Sequence, residues 1–226
     1  MAKRKASSGM SLGWLWWPVR VLAAVVLPFF LLVRGSVLLY DLAQLSAWQA
    51  LGISTLLTFG FLYFYLNWLV KRIHRRKKAQ EQTRRFGWRA ALIVLGGFIA
   101  YALLYLSAGN AKTSTVQSEY SSMHPLLRMA VSMWLVFDRD GVVTDMSRTH
   151  ADYSEMQLAE KKRSLHYPQA DGYVHALDLR TKGRSESWNG WAARYFEFMG
   201  FRTLRHTGTE DHLHISLKIH ENPAAL

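Results

Sequence analysis

Apolar residues are spread unevenly along the 226 residues. Residues 42–70 and 90–111 carry no charged side chain, and each exceeds the roughly 20 mostly apolar residues that a membrane-crossing helix needs. Residues 18–39 form a third such stretch, interrupted only by Arg20 and Arg34. Both arginines lie near its ends and can snorkel to an interface, where Trp14, Trp16 and Trp17 would form an aromatic belt. The pattern predicts three membrane helices. From about residue 113 it changes to short alternating blocks. Residues 124–133, 151–163 and 187–199 have helical character, the last stopped by Gly200. Residues 135–137 and 142–144 flank an Asp140-Gly141 turn, and residues 174–179, 201–206 and 212–219 read as strands. Trp188, Trp191, Tyr195 and Phe198 recur at helical spacing and are expected in the core. The organisation expected is an α-helical membrane anchor over 1–112, a polar linker over 113–123 and a small α+β domain over 124–226.

Charge divides the chain at the same place. The formal net charge is +12, from 28 Lys+Arg and 16 Asp+Glu. Residues 1–112 hold 15 of the basic side chains and only two acids, Asp41 and Glu81; the remainder holds 13 and 14. Nine basic residues fall within 71–89, between the second and third spans. A basic run can mark nucleic acid or anionic lipid. Between two spans it is the positive-inside signature, so no nucleic-acid partner is expected. The segment reads as a cytoplasmic loop, which places everything after the third span outside the cytoplasm. A cleaved signal peptide fits less well than an uncleaved anchor, because the first apolar run is too long and lacks a small-x-small site. Few charges lie inside the spans, which argues against a transport path.

There is no cysteine, which excludes a disulfide scaffold, a Cys-ligated zinc finger and an iron–sulfur cluster. Eight of the nine histidines lie in the second half. His212, His214 and Ser216 fall on one face of a predicted strand, beside Asp211, while His166, His175 and Asp178 lie upstream. Without cysteine, a zinc site must be built from histidine and carboxylate, and three protein ligands plus water is the catalytic arrangement. Asp138-Arg139-Asp140-Gly141 begins like a calcium loop, but Thr149 stands where the bidentate twelfth-position Glu is required. Calcium is therefore not expected. His150, His206 and His220 read as solvated, and Arg180, Lys182 and Arg184 as an exposed turn.

Ser164-Leu165-His166-Tyr167, Ala176-Leu177-Asp178-Leu179 and Asp211-His212-Leu213-His214 together resemble the zinc D-Ala-D-Ala carboxypeptidase family. That family includes phage L-alanyl-D-glutamate endopeptidases and shares its fold with the Hedgehog signalling domain. Its pattern is S-x-H-x-x-G-x-A-x-D followed by [ED]-x-x-H, with an upstream V-T-S-G-Y-R. Val143-Thr144-Asp145-Met146-Ser147-Arg148 stands in the upstream place, keeping the Arg and replacing the Gly by Met146. The resemblance covers about residues 125–219. It implies a Hedgehog-like α+β domain with zinc held by His166, Asp178 and His214. It also implies Asp211 as the catalytic acid/base, His212 as an auxiliary histidine and Arg148 as the group that binds the substrate carbonyl or carboxylate. His166 and Asp178 are twelve residues apart where the family has seven. Residues 167–172 then read as an inserted loop; alternatively His175, three before Asp178, is the ligand in place of His166. The implied activity is hydrolysis of peptide bonds in peptidoglycan stem peptides, by an enzyme anchored in a bacterial inner membrane with its domain facing the wall. The competing expectation is a non-catalytic zinc domain that binds wall peptide or a protein partner.

Overall fold

The structure, a computed structural model, describes residues 17–73, 77–148, 164–208 and 210–218. Three long helices come first: α1 (Trp17–Ala43), α2 (Ala47–Ile73) and α3 (Lys77–Leu104). Over Val26–Ala43, Ala47–Arg72 and Lys77–Leu104 they are long and apolar enough to cross a membrane. Trp14 and Trp16 of the expected belt lie outside the described residues. One expectation is corrected: the basic stretch 71–89 is not a loop. α2 runs on through Lys71 and Arg72 and α3 begins at Lys77, so most of the positive charge rides on helix ends. Lys, Arg, Gln and Glu are strong helix formers, and Arg85 pairs with Glu81 one turn back at 2.6 Å.

α1 and α2 meet closely where Gly35 faces Ser54. A Cβ on Gly35 would stand 2.6 Å from Ser54 Oγ, and that hydroxyl donates to the Leu31 and Leu32 carbonyls at 3.2 and 2.9 Å. Small and hydroxyl residues at such crossings let helix backbones approach where no hydrophobic driving force exists.

The linker is folded rather than extended. Thr113 caps α4 (Ser114–Ser118), a 3-10 turn follows at Glu119–Ser122, and Val116, Tyr120 and Met123 are buried. Next comes α5 (Pro125–Phe137), capped by His124, with Pro125 at its first position, where proline is favourable. It absorbs residues 135–137, expected outside the helix as one flank of the Asp140-Gly141 turn. Nothing between Pro125 and Phe137 interrupts a helix, and Asp138 ends it, accepting from Trp134 Nε1 at 3.0 Å. Then follow β1 (Val143–Asp145), β2 (Ala176–Arg180), α6 (Glu186–Met199), β3 (Arg202–His206) and β4 (His212–Ser216). The strands form one antiparallel sheet in the order β1-β2-β4-β3. The second half is thus a small sheet with helices, as expected. The helix expected over 151–163 lies outside the described residues, as do His150, His220 and the last residue of the final strand.

A second correction concerns α6. Its buried face is Asn189, Ala192, Phe196 and Met199; of the expected aromatic stripe Trp188 and Tyr195 pack on Trp134, whereas Trp191 and Phe198 are 60% and 64% exposed. Two apolar stripes interleave on this helix, and periodicity alone cannot rank them. The sheet face it meets is already filled by Leu177, Leu213 and Ile215, which suits the slimmer stripe.

The two halves are joined through helix ends. The last carbonyls of a helix have no partner within it. At the end of α3 the second half supplies partners: Tyr120 Oη donates to Ala102 O at 2.6 Å and Arg128 Nη1 to Leu103 O at 2.6 Å, and just beyond the helix Gln117 Nε2 donates to Leu106 O at 2.8 Å. Burial pushes the Tyr120 hydroxyl well above its ordinary pKa, which keeps it a donor. Conversely, Arg34 of α1 donates from Nη1 to Met199 O at 3.5 Å, a cation at the negative end of the α6 dipole. Gly200 admits it: its φ is 103°, and a Cβ there would stand 2.6 Å from Arg34 Nη1 and 2.8 Å from Val37 Cγ1. Arg34 is therefore held by protein rather than snorkelling. Lys218 and Asp41 add an ion pair at 3.7 Å.

Candidate metal centre

The sheet presents its polar chemistry on one face. β2 and β4 pair Asp178 with His214 and Arg180 with His212, and β3 sets His206 opposite His212. Side chains alternate across a strand, so these five share a face, while Leu177, Leu179, Leu213 and Ile215 are buried. His166 reaches this face from the segment before β2. Arg148 N donates to His166 O at 2.9 Å, and His166 Nδ1 donates to Met146 O at 2.7 Å. A carbonyl only accepts, so the ring hydrogen sits on Nδ1 and the Nε2 lone pair is free to face the cluster. His166 Nε2 lies 3.3 Å from His214 Nδ1 and 3.5 Å from Asp178 Oδ1, and His214 Nδ1 lies 2.9 Å from Asp178 Oδ1. Residues as far as 48 apart in the chain converge here, and together they could hold a metal ion.

Residues 167–172 close on themselves. Gly172 N donates to Gln169 O at 2.8 Å, Gln169 N to Tyr173 O at 2.8 Å, and His175 N to Leu165 O at 2.9 Å. The chain thus returns to its starting point before entering β2, which brings Asp178 to His166 despite the longer spacing. His175 lies elsewhere. Its Nε2 contacts both Asp171 oxygens at 3.0 and 2.9 Å, and His124 Nε2 stands 3.6 Å from Asp171 Oδ2. His124, Asp171 and His175 form a second set whose ligand atoms lie within 4.8 Å of one another, as do those of His166, Asp178 and His214.

Asp178 is 3% exposed. Burial alone would raise its pKa, but the His166 and His214 rings, which hydrogen-bond it when protonated, and the charges that protonated His166 and His212 carry, outweigh that and hold the carboxyl far below the usual carboxylate range. Arg148 pairs with Asp145 and donates from Nη2 to Asp178 Oδ2 at 3.3 Å, so it orients the Asp178 carboxylate. Asp211 accepts from Thr181 Oγ1 at 2.9 Å and from Arg205 Nε and Nη2, each at 2.7 Å. The Arg205 hydrogen bonds hold it below its ordinary range. His212 donates from Nδ1 to Glu210 O at 2.6 Å, and its Nε2 lies 3.6 Å from Asp178 Oδ2.

A cavity of about 280 Å³ opens beside His212 and Asp211, lined also by Lys112, Thr144, Arg180, Lys182 and Glu210. Two cations read as an exposed turn, Arg180 and Lys182, therefore border the site, whereas Arg184 pairs with Asp138. His206, read as solvated, is exposed but stacks on His212 with ring centres 4.8 Å apart. Its signal lay in the β3–β4 hairpin register, which sets 206 against 212. Asp145, quoted in the upstream motif without a role, is the partner of Arg148. Thr181 and Arg205, the partners of Asp211, were marked by no motif, and Arg205 stands opposite Leu213, on the other face of the sheet from His212 and His214.

No curated protein and no solved structure matches the chain. One family model does, over residues 22–172. The match takes in the three long helices, α5, β1 and His166, and stops before Asp178 and His214. It spans more than half of the chain, which accordingly belongs to the family described as Domain of unknown function (DUF3413).

Proposed function

We propose that the chain is a membrane-anchored zinc metallopeptidase that hydrolyses peptide bonds in peptidoglycan stem peptides, with its second half on the extracytoplasmic side of a bacterial inner membrane. The observation that carries this reading is the triangle made by His166 Nε2, His214 Nδ1 and Asp178 Oδ1, with edges of 3.3, 3.5 and 2.9 Å. Zinc at about 2.0–2.1 Å from tetrahedral nitrogen and oxygen ligands needs edges of about 3.3–3.4 Å. The Met146 carbonyl fixes the His166 tautomer, and Arg148 holds the outer oxygen of Asp178, the second layer of contacts a metal site requires.

When bound, zinc supplies a water of pKa about 7 and polarises the scissile carbonyl. The chain's own residues do the rest. Asp211 is the carboxylate that takes and returns a proton, fixed in place by Arg205 and Thr181. His212, with Nδ1 committed to Glu210 O, offers Nε2 to a developing oxyanion or a leaving amine. Lys112, Arg180 and Lys182 line the adjoining cavity and suit the carboxylates of stem peptides. The anchor and the basic ends of α2 and α3 support a placement facing the wall.

The test uses the full chain in lipid nanodiscs, with metal measured by elemental analysis and purified peptidoglycan as substrate. One zinc per chain with release of amino acid or peptide, both lost in His214→Ala, is the expected result. Absence of metal from the folded protein would overturn the proposal. Zinc without any product would favour a second reading, a zinc-stabilised module that binds wall peptide. The pairing of Asp211 with Arg205 and of Arg148 with Asp178 supports that reading, because both side chains then have structural partners.

A further inference from the structure

The aromatic stripe of α6 is covered at Trp188 and Tyr195, which pack on Trp134 with ring centres 5.6 and 5.2 Å away, and is open at Trp191 and Phe198. Among the described residues of the sheet half, Trp191 and Phe198 are the most exposed Trp and Phe side chains, and Arg194 lies between them with its guanidinium 5.7 Å from the Trp191 ring centre. Glu197, the acid of the same turn, is turned to Thr203 Oγ1 at 2.6 Å. One end of the stripe is continuous with the long helices. Phe198 meets Phe30 of α1 edge-on, with ring centres 5.9 Å apart, and Tyr195 meets the same ring at 6.4 Å. Phe30 belongs to the apolar stretch Val26–Ala43.

The depth of that contact follows from α3. Phe29 packs on Phe98 at 4.9 Å, and α3 ends six residues further on at Leu104, about 9 Å along the helix axis at 1.5 Å per residue. Helices that lie in a bilayer interface bury their apolar face to about 5–10 Å. Trp with a neighbouring Arg is the side-chain pair that suits the headgroup boundary.

We infer that α6 lies in the lipid interface of the leaflet on its own side of the membrane, with Phe198 among acyl chains and Trp191 and Arg194 at the headgroups. The occupant of the stripe is phospholipid rather than a second protein. The inference needs the long helices to cross the bilayer and is independent of any peptidase activity. It also bears on the orientation of the sheet, whose catalytic-candidate face is the one turned away from α6.

The absence of cysteine allows a nitroxide at one introduced site. Trp191→Cys and Phe198→Cys, in the full chain reconstituted in phosphatidylethanolamine–phosphatidylglycerol bilayers, are compared with Phe64→Cys on the exposed face of α2 and Thr207→Cys in the β3–β4 turn. Collisions with oxygen and with a water-soluble nickel chelate are measured, and an unchanged melting temperature verifies folding. Both α6 labels are expected to follow Phe64, with oxygen collisions exceeding nickel collisions, and Thr207 to show the reverse. Nickel access at 191 and 198 equal to that at 207 would overturn the inference. So would low access to both reagents with dipolar broadening, the mark of a second copy on the stripe. Nickel access at Phe64 would overturn the crossing itself, and the inference with it.

Discussion

Among the described residues stand two sets of two histidines and one aspartate, and their likeness ends at the atoms behind the rings. In the set on the sheet, His166 gives its Nδ1 hydrogen to the Met146 carbonyl, so its lone pair faces inward. His214 carries the one hydrogen between the rings and Asp178, and that hydrogen can move to Nε2 when a cation arrives. In the set beside α5, His124 accepts at Nδ1 from the Leu126 backbone N–H at 3.3 Å. Its hydrogen must sit on Nε2, directed toward Asp171, and cannot change places while the helix cap persists. The first set suits a cation; the second is a clasp in which His175 hydrogen-bonds Asp171 and the buried His124 Nε2, at the cap of α5, faces that carboxylate from 3.6 Å without a hydrogen bond. Residue type nominates a metal site, and the backbone groups behind the rings decide between candidates.

That contrast can be broken most sharply by metal analysis. His214→Ala should reduce bound metal from one per chain to a trace, and His175→Ala should leave it in place; two ions in the wild-type protein, or loss in His175→Ala, would erase the distinction. Acid comes next. Burial, reinforced by the charge of His175, lowers the His124 pKa to about 3, against about 6.5 unfolded. The unfolded chain therefore binds the extra proton between those values, so stability falls as pH drops through that window, by up to about 1.4 kcal/mol per pH unit. Thermal melting of His124→Gln against wild type between pH 6.5 and 4 should show the wild type alone losing this increment. Asp178, held low, loses its contribution only below the unfolded carboxylate range, about pH 4, so the two are separable.

A smaller effect is expected of Arg148→Met. Removing an orienting partner typically weakens metal affinity by about 10–100-fold, and competition with a chelator should show a loss of that size with the melting temperature of the metal-free protein little changed. A melting shift without an affinity change would reduce Arg148 to a structural pair with Asp145. The smallest is Asp171→Asn, which weakens the clasp by about 1–2 kcal/mol and should leave metal content untouched.

Much of this was legible in the sequence, for identifiable reasons. Spans announce themselves by the absence of charge, and β4 by the alternation of His212 and His214 with Leu213 and Ile215. The set of His166, Asp178 and His214 came from the resemblance of three separated motifs. The illegible part depended on tertiary context. Polar residues 113–122 hid a helix, because Val116 and Tyr120 are too sparse to reveal a buried face. Trp191 and Phe198 of the α6 stripe were misassigned because what covers a helix is not written in its own period. The clasp partner of His175 was overlooked because Asp171, beside Gly172, reads as turn chemistry, and nothing local says that His124 lies across from it.

Consider, finally, the carbonyls at and just beyond the end of α3. Tyr120, Arg128 and Gln117 satisfy them from across the boundary between the halves, and Arg34 returns the favour at Met199. A chain cut at residue 112 would leave these groups orphaned and strip α5 of its cover. The boundary visible in charge and hydropathy is thus not a seam in the energetics: anchor and sheet should melt in one cooperative transition. Loosening of the bilayer around α1 would then be felt by the strands that carry the histidines.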